Sequence, residues 1–138
     1  EKDAISALNM IRSGLDHAII DKKTYWFPSH FETEIPDPPL AFLLSIYDEY
    51  TIAYHDRSDI SDSRDIERMI VRGNALTAVI LLNGRVAGTW KRAMKRDSVE
   101  INLSPFRELD NDEQEAMERE VARYGKFPGI PAIIRNEP

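Results

Sequence analysis

The segment 43–60, LLSIYDEYTIAYHDRSDI, places Asp48, Glu49, Asp56 and Arg57 among the apolar and aromatic residues typical of a strand. Two carboxylates held close together could perform acid–base catalysis. In one extended strand, however, Asp48 and Asp56 would lie roughly 26 Å apart, and the adjacent Asp48 and Glu49 would point to opposite faces. The segment therefore predicts a long strand whose carboxylates cap exposed backbone or pair with an arginine such as Arg57.

A second group of charged residues lies in the segment 85–96, RVAGTWKRAMKR, which is basic and contains no acidic residue. Its cations could contact nucleic-acid phosphates, or they could form a solvated edge that resists aggregation. Trp90 is expected in the core. Two lysines at the tip of an earlier predicted hairpin are a further candidate phosphate contact. The candidate DNA-binding residues are Lys22, Lys23, Arg85, Lys91, Arg92, Lys95 and Arg96.

Residues that could bind a metal or a cofactor are sparse. His17, His30 and His55 are far apart in sequence and show no i,i+4 spacing, so they do not predict a zinc site. The sequence contains no glycine-rich phosphate loop and no serine in a nucleophile motif. We therefore predict no catalytic residue, metal or cofactor on this chain.

Composition limits the class of protein. A chain of 138 residues, 42% hydrophobic and 30% charged, can bury one core or one core with a small satellite. No apolar run is long enough for a membrane span, and the absence of cysteine fits a cytoplasmic compartment. The net charge of −6 argues against indiscriminate nucleic-acid binding, although a locally basic face remains compatible with it. The chain begins without Met inside a helical pattern, which we interpret as a piece of a longer protein.

The first forty residues predict a helix, a hairpin and a linker. EKDAISALNMIRSGL has helical apolar spacing and ends near Gly14, and DHAIIDKKTYWFP predicts two short strands around a turn at 21–23. A helix followed by a hairpin is typical of the end of a winged-helix module. The acidic, proline-rich residues 29–40 then predict a linker that divides the chain.

The remainder predicts a short helix at 61–70 and further strands. Asn83-Gly84 between two apolar runs favours a type I′ hairpin turn, since both positions need positive φ. In DSVEINLSPF, alternating apolar residues predict another strand of the same meander, with Val99, Ile101 and Leu103 pointing inward.

A final helix is predicted to start at Asp110, because Glu113 three residues later forms a capping-box pattern. Met117, Val121 and Tyr124 form its expected buried stripe. Gly125 is expected to end it, and the tail from 127 onward is expected to be loosely ordered.

Three motifs resemble, in order, the C-terminal region of a bacterial winged helix DNA-binding family that includes the AlkZ-type DNA glycosylases. They are Tyr47-Asp48-Glu49-Tyr50, then Tyr54 with Asp56-Arg57, then Gly88-Thr89-Trp90-Lys91. Ser45 departs from the family, which usually has proline there. The resemblance covers roughly residues 40–127.

The resemblance implies tandem winged helices followed by a small antiparallel β-barrel with a C-terminal helix. An α+β chain would then comprise the end of a winged helix (1–28), the linker (29–40), the barrel (41–127) and a tail (128–138). The family's glutamine-containing catalytic motif lies in the N-terminal part of the glycosylases, and Asn111 and Gln114 do not match it.

We therefore expect a non-catalytic C-terminal fragment of a DNA-binding protein, whose parent is a candidate glycosylase for alkylated or crosslinked DNA. The alternative is a structural or protein-interaction barrel whose acidic surface faces a protein partner.

Overall fold

The computed structural model describes residues 2–30, 37–53, 56–62, 64–67 and 77–135. The chain divides into two compact units, residues 1–35 and 36–138. In the described ranges, no helix combines the length and the hydropathy that crossing a membrane would require.

The first unit consists of a helix and a β-hairpin. Its elements are α1 (Lys2–Ile11), a 3-10 turn (Arg12–Gly14), β1 (Leu15–Ile20) and β2 (Lys23–Pro28). Asp21 and Lys22 connect the two antiparallel strands with positive φ angles of 49° and 66°, as a type I′ turn requires. The predicted helix and hairpin are therefore confirmed.

The second unit is built on a five-stranded sheet of order β3-β4-β5-β6-β7. Its elements are β3 (Ala41–Leu44), α2 (Glu49–Ile52), β4 (Val79–Leu82), β5 (Arg85–Met94), β6 (Val99–Pro105), α3 (Asn111–Lys126) and β7 (Ala132–Arg135). Neighbouring strands are antiparallel except β6 and β7, which are parallel. The α+β class is confirmed, but the sheet is mixed rather than antiparallel. Within the described ranges its outer strands β3 and β7 do not pair to close a barrel.

The turn between β4 and β5 follows its sequence signature. Asn83 and Gly84 have φ angles of 51° and 79°, which confirms the type I′ turn. Asn83 also anchors the entry to β3, because its side-chain oxygen accepts from the Leu40 N–H at 2.9 Å and its own N–H donates to the Leu40 carbonyl at 2.8 Å.

Helix α3 covers one face of the sheet, where the main core lies. The buried members of this core are Ile80, Leu82, Trp90, Val99, Ile101, Met117 and Val121. The capping box is present: Asp110 accepts from the Glu113 N–H at 2.9 Å, and Glu113 accepts from the Asp110 N–H at 3.2 Å. The predicted start of α3 is confirmed. Met117 and Val121 of its stripe and Val99 and Ile101 of β6 are buried, while Tyr124 and Leu103 are partly buried against the same core.

The predicted long strand at 43–60 is wrong. β3 ends at Leu44, and Tyr47 adopts a positive φ of 63° that no strand contains. Asp48 then caps α2, because its carboxylate accepts from the Tyr50 N–H at 3.0 Å. A short acidic side chain bonded to local backbone competes with an extended conformation, which explains the error. Of the helix predicted at 61–70, residues 64–67 are helical, while residues 63 and 68–70 lie outside the described residues.

The expected ends of α3 and of the sheet also need correction. Gly125 lies within the last turn of α3 rather than after it. A Cβ on Gly125 would come within 2.9 Å of both the Ala132 nitrogen and the Ile130 oxygen. The missing side chain therefore lets the following chain return against the helix. That chain forms β7, so the expectation of a loosely ordered tail is wrong for residues 132–135.

A carboxylate of α3 covers the outer edge of β3. Glu120 is only 5% exposed, and it accepts from the Leu43 N–H at 3.0 Å. Arg123 donates to the same carboxylate at 2.6 and 2.8 Å. This hydrogen-bonded pairing raises the pKa of Arg123. Glu120 thus satisfies an edge amide that would otherwise be open to another strand.

Candidate nucleic-acid interface

The five cations of segment 85–96 do not form one cluster. They occupy or follow β5, which is ten residues long, so Arg85 lies roughly 30 Å from Lys95 along the strand. Arg85 follows the Asn83–Gly84 turn and donates to the Asp59 carbonyl at 2.9 Å. Arg96 lies beyond the other end of β5, in the turn to β6. The basic segment therefore extends along the whole length of β5 and does not form one patch.

Neighbouring cations in the middle of β5 point to opposite faces. Lys91 pairs with Asn102 of β6, and Arg92 pairs with Ile101, which is fully buried beneath α3. Arg92 donates to the hydroxyl of Tyr124 on α3. Arg92 thus belongs to the face that the helix covers, and Lys91 belongs to the opposite face.

Trp90 lies in the core, as expected. It is 6% exposed, its Nε1–H donates to the Leu44 carbonyl at 2.8 Å, and its ring meets Tyr124 edge-on with centroids 5.5 Å apart. An indole buried in this way positions β5 and is not available to stack on a base.

Strands β5, β6 and β7 carry a charged surface on the face away from α3. Register aligns Lys91, Asn102 and Arg135 in one row across the three strands, and Ala93, Glu100 and Ile133 in the next. Lys95 follows at the end of β5. We define the polar face as Lys91, Lys95, Glu100, Asn102 and Arg135.

Glu100 lies at the centre of the polar face. Its carboxylate contacts Lys95 Nζ at 3.2 Å and Arg135 Nη2 at 3.1 Å. The hydrogen bonds from Lys95 and Arg135, led by Lys95, lower the pKa of Glu100 against a smaller opposing effect of desolvation. Three cations and one carboxylate leave a local charge of +2 on a chain whose net charge is −6. A partly neutralised cationic row of this kind can bind phosphate oxygens.

The cations predicted on the first hairpin lie in the other unit. Lys22 occupies the β1–β2 turn and is exposed, and Lys23 begins β2. Below the turn, the Arg12 guanidinium lies 5.2 Å from the centre of the Trp26 ring, which also packs against His17. The turn presents Lys22 at its tip.

The motif residues of segment 43–60 support the fold locally. Asp48 caps α2, where Glu49 occupies the first turn, and the Tyr50 hydroxyl donates to the Gly84 carbonyl at 2.8 Å. Arg57 Nε donates to the Thr51 carbonyl at 2.6 Å.

Asp56, in the rest of this segment, also makes a local contact. Asp56 accepts from the Ser58 N–H at 3.0 Å. Tyr54 and His55 lie outside the described residues. No set of three histidine, aspartate or glutamate side chains able to hold a metal is found in the part of the chain that the structure describes.

Several interactions had no counterpart in the sequence-based expectations. The expected tail includes Arg135, although the two β-branched isoleucines that precede it are typical of a strand. The pairing of Arg107 with Glu113, at 2.7 and 2.6 Å, could be inferred only once the capping box fixed the Glu113 side chain. The position of Glu100 between two cations depends on register and has no local signal.

The chain is similar to known proteins in sequence and in fold. A family model described as "DNA glycosylase AlkZ-like" matches residues 2–127. Among solved structures, the Streptomyces sahachiroi DNA glycosylase AlkZ has a similar fold, with a TM-score of 0.54 at 15% sequence identity. That likeness covers 98% of this chain and 37% of the AlkZ chain. None of the curated proteins matches this chain.

Proposed function

Because the chain belongs to the DNA glycosylase AlkZ-like family, we propose that it is the C-terminal, non-catalytic part of a longer winged-helix DNA-binding protein. We further propose that this longer protein is a DNA glycosylase acting on alkylated or crosslinked bases. The observation that carries the proposal is the family match, which extends over residues 2–127 and so includes elements of both units.

The extent of the structural likeness supports the assignment to a part of a larger protein. Nearly the whole chain corresponds to 37% of a solved glycosylase. Three of the described carboxylates are engaged in the fold: Asp48 caps α2, and Glu113 and Glu120 bind arginines. In this proposal the base-excising residues lie in the remainder of the longer protein.

The first unit is proposed to be the end of a winged helix. Helix α1 followed by the β1–β2 hairpin has the required order, and the exposed Lys22 at the hairpin turn suits a phosphate contact from a wing. Lys23, at the start of β2, is proposed as its neighbour in that contact.

The second unit is proposed to be a barrel-like module in which α3 lies across the opening between the outer strands. Two contacts support this view. Glu120 of α3 binds the outer edge of β3, and Gly125 of α3 packs closely against the start of β7. We propose that this module contacts DNA through cations of its sheet.

A direct test compares the longer protein with the isolated 138-residue chain on alkylated duplex DNA. We expect base release by the longer protein and none by the isolated chain. Base release that follows the concentration of the isolated chain through purification would overturn its non-catalytic role.

The alternative, a protein-interaction module, predicts no salt-dependent affinity for DNA. Contacts with phosphates release counterions, so the affinity of a DNA-binding protein falls steeply with salt. A longer protein that fails to bind any duplex at low salt would overturn the proposed function and favour the protein-interaction alternative.

A further inference from the structure

We propose that the polar face of strands β5, β6 and β7 is the surface through which the second unit contacts the phosphate backbone of DNA. Lys91 and Arg135 make the contacts, and Glu100 limits their strength. This inference rests on the proposed function, since it assigns the DNA contact to one side of the sheet.

The arrangement of the cations singles out this face. Arg85 is bound to the Asp59 carbonyl, and Arg92 points to the helix-covered side and is bound to Tyr124. Lys91 and Arg135, in contrast, lie in one row on the uncovered side, two strand spacings or about 10 Å apart. The adjacent residues Lys91 and Arg92 thus lie on opposite faces of the sheet. Lys91 and Arg135, which are far apart in sequence, lie on the same face.

The dimensions of the face suit a phosphate backbone. Lys91 lies on β5, and Lys95 directly follows the end of β5, four residues and about 13 Å farther along the chain. Measured along the axis of a duplex, that length spans about four phosphates of one DNA strand. Asn102 lies between Lys91 and Arg135 in the same row. The small side chain of Ala93 in the next row leaves room for an approaching backbone.

Accessibility supports the same residues. The side chains of Lys95 and Arg135 are 53% and 61% exposed. Lys91 is exposed and has no ion-pair partner among the residues that the structure describes. Its charge is therefore the one least compensated within the face.

Glu100 has a distinct role because it holds the other two cations. A phosphate that approaches Lys95 or Arg135 must compete with the Glu100 carboxylate, which contacts both. The same carboxylate repels the phosphate directly. Replacing Glu100 by Gln should therefore strengthen DNA binding, whereas a residue with only a structural role would not raise the affinity when removed.

The test measures binding of a labelled duplex to the longer protein by fluorescence anisotropy, from about 50 to 200 mM salt. The variants are Lys91→Gln with Arg135→Gln, and Glu100→Gln alone. We expect the double variant to bind DNA on the order of tenfold more weakly. The slope of log affinity against log salt concentration should become shallower by about two. We expect Glu100→Gln to bind several-fold more tightly at each salt concentration.

A matched control removes the same charge from the other side of the sheet. Arg119→Gln with Lys126→Gln changes two exposed cations of α3 and should leave affinity and slope nearly unchanged. The DNA-binding role of the polar face would be overturned by an equal loss of affinity in this control. It would also be overturned if Lys91→Gln with Arg135→Gln bound DNA like wild type. Either result would leave the proposed function intact. Unchanged or weaker binding by Glu100→Gln would overturn the limiting role of Glu100.

Two measurements keep the outcomes separate. Wild-type protein without affinity for any duplex would overturn the proposed function, and the polar face with it. Circular dichroism checks that the variants fold. If the double variant does not fold, Lys91→Gln alone decides, with an expected slope change of about one and no change as the refuting result.

Discussion

Replacing the buried Glu120 by Ala should destabilise the second unit more than replacing any of the exposed carboxylates of α3. The carboxylate is 5% exposed and is the acceptor for the Leu43 N–H of the edge strand. A hydrogen bond to a charged group contributes about 1.5–3 kcal/mol to the free energy of unfolding. The pair with Arg123 adds about 0.5 kcal/mol, because that arginine is 67% exposed.

The expected total is a loss of about 2–3.5 kcal/mol in the free energy of unfolding, or a fall in Tm of roughly 10–25 °C for a unit of this size. Urea unfolding followed by circular dichroism measures the free energy, and hydrogen exchange of the Leu43 amide reports the edge itself. The amide should exchange faster in Glu120→Ala, because its acceptor has been removed.

Three further variants separate the contributions. Glu115→Ala removes a carboxylate that is 71% exposed and lies 3.8 Å from Arg119, so its cost should stay below about 0.5 kcal/mol. Arg123→Ala removes only the ion pair and should cost about 0.5 kcal/mol. Glu120→Gln keeps an acceptor for the Leu43 N–H. Its loss in free energy of unfolding should therefore lie between those of these two variants and that of Glu120→Ala. A Glu120→Ala protein as stable as Glu115→Ala, with unchanged Leu43 exchange, would refute the reasoning.

Two other substitutions test the caps of the helices. The hydrogen bonds from Arg107 hold the pKa of Glu113 below its ordinary value of 4.5. The stabilisation from Glu113 is therefore complete above about pH 4.5 and is lost as the pH falls through its folded pKa. Glu113→Gln should flatten the loss of stability between about pH 5 and 3, as measured by urea midpoints across that range; identical pH profiles would contradict this. Asp48→Ala removes the N-cap of α2 and should cost about 1 kcal/mol in urea unfolding, whereas the exposed Glu118→Ala should cost little; equal stabilities would contradict the capping role.

Local chemistry made part of the fold predictable. The Asn83–Gly84 turn and the Asp110 capping box each involve residues close in sequence, and both are present as expected. The period-two pattern of β6 likewise placed Val99 and Ile101 in the core. Such features depend on backbone preference and nearby side chains, which a short segment contains in full.

The errors had two causes, a local backbone conformation in segment 43–60 and a longer-range packing contact at Gly125. Segment 43–60 has strand-like composition, but the positive φ of Tyr47 and the cap at Asp48 turn it into a helix entry. Gly125 resembles a helix stop in sequence, whereas its role is to admit the chain that returns as β7.

The candidate interface was predicted only as a basic segment. Its cations were divided by the pleat of β5, which places Lys91 and Arg92 on opposite faces. Arg135, the cation of the polar face that lies outside the basic segment, is on β7, which pairs in parallel with β6. Parallel pairing of β6 and β7 requires the whole of α3 as the connection, and no local pattern indicates it.

The contact between Glu120 and Leu43 also bears on the order of assembly during synthesis. These residues are 77 positions apart, and the cover for β3 is the last helix of the unit to be made. The apolar edge strand AFLL therefore exists as a template for intermolecular pairing until α3 has emerged and docked. Conditions that delay or loosen docking of α3 should consequently promote aggregation through β3 before they reduce the stability of the rest of the sheet.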